Sequence, residues 1–206
     1  DMDKDGPLCA EQMLYAACFR AMAEISEQIG KDGSVYRAEY EKLTAVIEKF
    51  FWDEEKGAYI DSFTSGRRNV TRHANIFAIL FSVADEKKQE KILKNVLEND
   101  EIPAITTPYF NFFELDVLCR MGKLTEVLEK IRSYWGGMLD LGAVTFWEEY
   151  DPSVPKEEQY DMYGDHFGKS LCHAWAASPI YFLAKYFAGL DLVNKDGVTY
   201  ILKPQM

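Results

Sequence analysis

Three segments of this chain are apolar on nearly every side: HANIFAILFSVA (73–84), YFNFFELDVLCRM (109–121) and CHAWAASPIYFLAKYFAGL (172–190). Between them run segments apolar on one face only, such as EYEKLTAVIEK (39–49) and EKKQEKILKNVLEN (86–99). A helix that is apolar all round must be covered on all sides, whereas an amphipathic helix turns one face to water. The alternation therefore predicts an all-α chain in two layers, inner helices backed by outer ones. The near-repeat of helix pairs points to a ring or a solenoid. The pattern supplies about seven helices, four inner and three outer. A closed double ring of six hairpins needs about twelve, and at roughly 15 residues per helix plus loops that takes well over ~300 residues. The 206 residues here provide only part of one.

Local signals place the helices. Leu14, Cys18, Met22, Ile25 and Ile29 recur in steps of four and three, giving the first helix one apolar stripe. Pro7 suits its first turn and Gly30 the residue after its last. Tyr36, Tyr40, Leu43, Ile47 and Phe50 form the second, with Ser34 as N-cap. Asp53 to Gly57 reads as a turn, and Ala58 to Phe63 alternates like a short strand. The third helix covers Thr71 to Val83. Asp85 caps a fourth, carried by Ile92, Val96 and Leu97. The fifth runs from Tyr109 to Met121. The sixth uses Leu124, Val127, Ile131 and Tyr134 and should stop at Gly136-Gly137. The last helical region spans about Phe167 to Ala188, with Pro179 either opening a new helix or kinking a continuing one. The tail GVTYILKPQM alternates like a strand.

Composition narrows the function. A net charge of −11 argues against a nucleic-acid partner, which demands clustered Lys and Arg. No segment has the unbroken apolar length of a membrane span, so no membrane partner is expected. Cys9, Cys18, Cys119 and Cys172 form no CxxC pair, and each lies in an apolar helical run. They read as buried free thiols rather than zinc ligands. His166, with Asp161 and Asp165 nearby, lacks regular ligand spacing and reads as a solvated loop. No metal or organic cofactor is expected. The 13 Phe, 12 Tyr and 4 Trp can fill a core or line a pocket that stacks on sugars. The opening residues, DMDKDGPLCAEQ, enter helix almost at once, as in a chain cut from a longer one.

The stretch GAVTFWEEYDP, Gly142 to Pro152, concentrates the chemistry. Glu148 and Glu149 follow Phe146 and Trp147 within a loop that opens on Gly and closes on Pro. Glycoside hydrolysis uses two carboxyl groups, one as acid and one as base or nucleophile. A neighbouring indole can stack on a sugar and shift a carboxyl pKa. These residues could form half of such a site. They could equally be a capping glutamate or a surface partner of a lysine.

The stretch GAVTFWEEYDP followed by SLCHAWAASPIYFLAKYFAGL strongly resembles the C-terminal part of the catalytic domain of bacterial α-L-rhamnosidases. FFWDEEKGAYIDS, TTPYFNFFELDVLCRMGK and GVTYILKPQ resemble further pieces of that family. The resemblance covers most of the chain and is most specific over residues 142–189. It implies a partial (α/α)6 toroid of helical hairpins over residues 1–190. Residues 191–206 would be a short β tail leading toward a β-sandwich domain that is missing here. It implies an inverting glycoside hydrolase whose substrate carries terminal rhamnose. Gly142-Ala143-x-Thr145-x-Trp147-Glu148 matches the motif whose glutamate is the general base, so Glu148 rather than Glu149 takes that role. His173 matches the sugar-contacting histidine, and Trp147 would help wall the pocket. In such a ring Tyr109 and His73 stand at inner-helix starts, which makes them further pocket candidates, although core packing and a structural hydrogen bond would also account for them. The family's general acid belongs to an Asp/Glu-rich motif that no stretch from Asp1 to Thr71 resembles. The expectation is a fragment, inactive alone, that buries its exposed inner helices by forming a homodimer. The alternatives are a helical-repeat module that binds a glycan or a protein without chemistry, and a six-hairpin glycosidase for another sugar.

Overall fold

The computed structural model describes residues 2–192 and 199–205. The chain divides into two compact units, residues 1–104 and 105–206. Helices dominate both, and the only sheets among the described residues are two short hairpins.

In the first unit, α1 (Cys9–Gln28) and α2 (Ser34–Phe51) pack together as a hairpin, and α1 also contacts α3 (Arg72–Leu80). After Ile29 the chain reverses at Gly30, whose φ of 72° is a conformation glycine adopts without strain. The Lys31 N–H then bonds to the Ser26 carbonyl at 2.8 Å. The face that α1 buries is formed by Cys9, Met13, Ala16, Ala23 and Ser26. The larger apolar stripe lies outside it. Leu14, Met22, Ile25 and Ile29 are 42–62% exposed, and Cys18 is exposed with them. Periodicity identified an apolar face correctly, but the partner helices pack on the adjoining face, where small side chains permit close approach. Ser34 does not cap α2. It is the first helical residue, and the Asp32 carboxylate accepts bonds from both its N–H and its hydroxyl at 2.9 Å. An ionised carboxylate is the stronger acceptor at this helix start.

The strands β1 (Trp52–Asp53) and β2 (Ala58–Tyr59) pair antiparallel around the expected turn. Asp53 holds that turn by accepting from the Glu55 and Lys56 N–H groups at 3.0 and 3.1 Å. The strand expected to reach Phe63 ends at Tyr59. Beyond it Asp61 gathers the chain, accepting from the Asp3 N–H, the Asn69 amide and the Thr71 hydroxyl. Eight of the nine residues of α3 are buried, as its composition demands. Asn75 within it is fully buried and clasps the Tyr59 backbone. The Asp85 side chain caps α4 (Glu86–Ile92), accepting from the Lys88 N–H at 2.9 Å. The helix widens into a π-helical turn over Leu93–Leu97.

In the second unit, α5 (Pro108–Arg120) packs against α6 (Leu124–Lys130) and α8 (Ser178–Phe182). Buried polar groups on α5 are paired: Glu114 with Lys130, and Asp116 with Arg120 and the Tyr186 hydroxyl. From α6 the chain passes through a π turn, Ile131–Trp135, into α7 (Gly136–Asp140). Gly136-Gly137 therefore does not stop the helix. The Tyr150 ring lies where a side chain on residue 137 would stand, so this glycine makes room for a neighbour. The last helical region is shorter than expected. Residues 167–173 are irregular, a 3-10 turn covers Ala174–Ala176, and α8 opens at Ser178 with Pro179 in its first turn. It continues as a π turn over Leu183–Phe187. Ile180 is 64% exposed, so this helix is not covered all round. Cys9 and Cys119 are buried, but Cys18 and Cys172 are exposed, because the faces that carry them are not packed. The tail strand β4 (Tyr200–Leu202) pairs antiparallel with β3 (Leu190–Leu192). Gly197 and Val198 of the expected strand lie outside the described residues.

Candidate functional site

Two extended segments of the second unit run side by side and set the geometry. The Glu148 N–H bonds to the Ser170 carbonyl at 2.9 Å, and the His173 N–H bonds to the Phe146 carbonyl at 2.8 Å. The Thr145 hydroxyl donates to the Leu171 carbonyl. This pairing fixes Glu148 and His173 relative to each other without any helix carrying either.

The Glu148 carboxylate is buried, yet both of its oxygens are engaged. Oε1 accepts from the Tyr163 hydroxyl at 3.0 Å, and Oε2 accepts from the Ser170 N–H at 3.1 Å. Nδ1 of His173 lies 3.9 Å from Oε2. The His173 ring packs 4.2 Å from Trp175, centroid to centroid, and Trp175 packs 5.2 Å from Tyr109. Trp175 and Tyr109 are 44% and 48% exposed. Glu148, His173, Trp175 and Tyr109 thus form a row in which a buried carboxylate adjoins open aromatic faces. A sugar stacks on such faces while its hydroxyls bond to polar groups beside them. Four cavities of 210–430 Å³ lie elsewhere, and Glu148 lines none of them.

The other candidates fall differently. Trp147 is buried, with its ring edge-on to Tyr160 at 5.5 Å, so it serves as a packed support under the loop. His73 lies in the first unit at the start of α3, with Nδ1 3.4 Å from the Thr71 hydroxyl. His166 pairs with Asp161 at 2.6 Å on an exposed loop.

Three participants carried no sequence signal. Trp175 lies two residues beyond His173 in a segment that reads as helix, where i and i+2 side chains point apart. In the 3-10 turn the two rings meet. Tyr163 is fifteen residues from Glu148 and reaches it only because of a tight turn. Lys169 is buried beneath the loop. Burial pushes its ammonium pKa down, while Glu149, Asp151, Asp161 and Glu148 pull the other way. The Glu148 carboxylate holds the Tyr163 phenol above its ordinary pKa, so this group remains a donor.

Comparison with known proteins shows the family. The family described as the bacterial alpha-L-rhamnosidase 6 hairpin glycosidase domain matches residues 2–187. A rhamnosidase from Klebsiella oxytoca, solved with rhamnose bound, is similar at 28% identity and a TM-score of 0.74, over 86% of this chain and 34% of its own. A GH78-family rhamnosidase from Bacillus sp. GL1 is similar at 26% identity and a TM-score of 0.81, over 96% of this chain and 21% of its own. The chain therefore spans about a third and about a fifth of these two relatives. No curated protein matches it.

Proposed function

We propose, for a chain that belongs to the bacterial α-L-rhamnosidase six-hairpin glycosidase domain family, that it supplies the general-base side of an inverting hydrolase acting on terminal α-L-rhamnosides. Glu148 takes a proton from water as that water attacks the anomeric carbon. His173, Trp175 and Tyr109 contact the sugar. Trp147 packs the loop that carries Glu148. Residues 1–190 constitute the helical catalytic portion, and residues 191–206 begin a trailing β domain. The general acid, which must stand roughly 6.5–9.5 Å from the base, is assigned to chain outside these 206 residues. A second copy of the chain is the proposed partner of the exposed α1 stripe when the chain is produced alone.

The observation that supports this reading most is the Glu148 carboxylate itself. It is buried, both oxygens accept hydrogen bonds, and a histidine beside it packs on an exposed indole. Two donors hold it aimed, as a general base requires. The test is Glu148→Gln in the full-length protein that carries this chain, assayed on an aryl α-L-rhamnoside. Turnover should fall about 10²–10⁴-fold with rhamnose binding changed by no more than a few fold, because a base acts on the transition state. Undiminished turnover would remove Glu148 from the chemistry. Rhamnose binding by a full-length wild-type protein with no hydrolysis would instead favour a binding module, to which the open aromatic row is also suited.

A further inference from the structure

The turn that carries Tyr163 has an unusual residue at its tip. Met162 and Asp165 form a two-bond bridge, each N–H donating to the other's carbonyl at 3.0 Å. Between them Tyr163 and Gly164 both have positive φ, 55° and 87°. Turns of this kind select Asn, Asp or Gly at the first central position, because a side chain there crowds the backbone. A tyrosine at positive φ is a genuine outlier and costs stability. Its ring does not recover that cost by burial, since Tyr163 is 79% exposed. What the residue does make is the bond from its hydroxyl to Glu148 Oε1.

The geometry points to Tyr163 as a positioning residue for the base: the strained turn presents a phenol that orients the Glu148 carboxylate. This rests on the reading of Glu148 as the general base. The groups facing that carboxylate are the Tyr163 hydroxyl, the Ser170 N–H and His173 Nδ1, with Lys169 at longer range. Ser170 holds Oε2 in any variant of residue 163, so Oε1 is the oxygen freed when the phenol is lost. That oxygen would then accept from water and rotate more freely.

Two substitutions in the full-length protein separate this role from a structural one. Tyr163→Phe removes only the hydroxyl. Tyr163→Asn removes the hydroxyl and installs a residue the turn prefers, so its Tm should equal or exceed that of the wild type. Both should lower kcat roughly tenfold, the worth of one hydrogen bond to a charged group. KM should change little, because the phenol acts on the base and not on the bound sugar. If both variants keep wild-type kcat while Glu148→Gln is inactive, the positioning role is overturned and the assignment of Glu148 stands. If Glu148→Gln retains full turnover, both fall together.

Discussion

Asn75 shows how much one polar side chain can hold in this protein. It is fully buried, its Oδ1 accepts from the Tyr59 N–H at 2.8 Å, and its Nδ2 donates to the Tyr59 and Thr71 carbonyls at 2.9 Å. It ties β2 to the start of α3, which a leucine of similar size could not do. Replacing it with Leu would remove three hydrogen bonds to the buried backbone, so Asn75→Leu should lower unfolding stability by roughly 2–4 kcal/mol in urea titrations of the chain. An unchanged midpoint would show that water reaches those groups. At this scale the sequence was partly readable. Glu148 could be singled out because it stands in a recognisable run of residues. Asn75 could not, since nothing in its apolar surroundings marks an amide as a clasp. Tyr163 was equally silent, because a positive φ has no sequence signature when the residue is neither Gly nor Asn.

Among the elements, α1 separates periodicity from packing. Leu14, Met22, Ile25 and Ile29 face outward, while Cys9, Met13, Ala16, Ala23 and Ser26 are buried. Met22→Lys and Ile25→Lys should therefore leave stability within about 0.5 kcal/mol, whereas Met13→Ala, fully buried, should cost about 2–5 kcal/mol. If the outward stripe drives self-association, the double lysine variant should also sediment as a smaller species than the wild type at equal concentration. Helix existence was legible throughout, because a 3.6-residue repeat survives any arrangement of neighbours. The face actually used was not, since that depends on partners distant in sequence. Gly136-Gly137 was misread for a related reason: a glycine that accommodates the Tyr150 ring looks, in sequence, like one that ends a helix. Residues 167–173 read as helix from their apolar content, but they pair with the Glu148 segment instead.

For the molecule as a whole, the acidic composition has a consequence for pH. Burial works to raise the Asp53 pKa, but the Lys56 and Glu55 N–H groups and the Arg68 guanidinium outweigh it and hold the carboxyl below the ordinary value of 3.8. A bond from Ser65 does the same for Asp3. A carboxyl whose folded pKa is depressed contributes stability above its unfolded pKa and loses it as pH falls through the folded one. Urea midpoints should thus decline as pH drops below about 4, and Asp53→Asn should flatten that decline. An identical slope in the variant would place the acid sensitivity elsewhere. The broad architecture was the most legible feature of all, because alternating fully apolar and amphipathic segments leave few other ways to cover the inner helices.

Among the described residues, the groups that hydrogen-bond to the Glu148 side chain and the indole that packs on its neighbouring histidine lie between positions 163 and 175. The orientation of this carboxylate is therefore written almost entirely into one uninterrupted stretch of chain. A recombination event with breakpoints outside residues 148–175 would hand the glutamate and the groups that aim it to a new scaffold together.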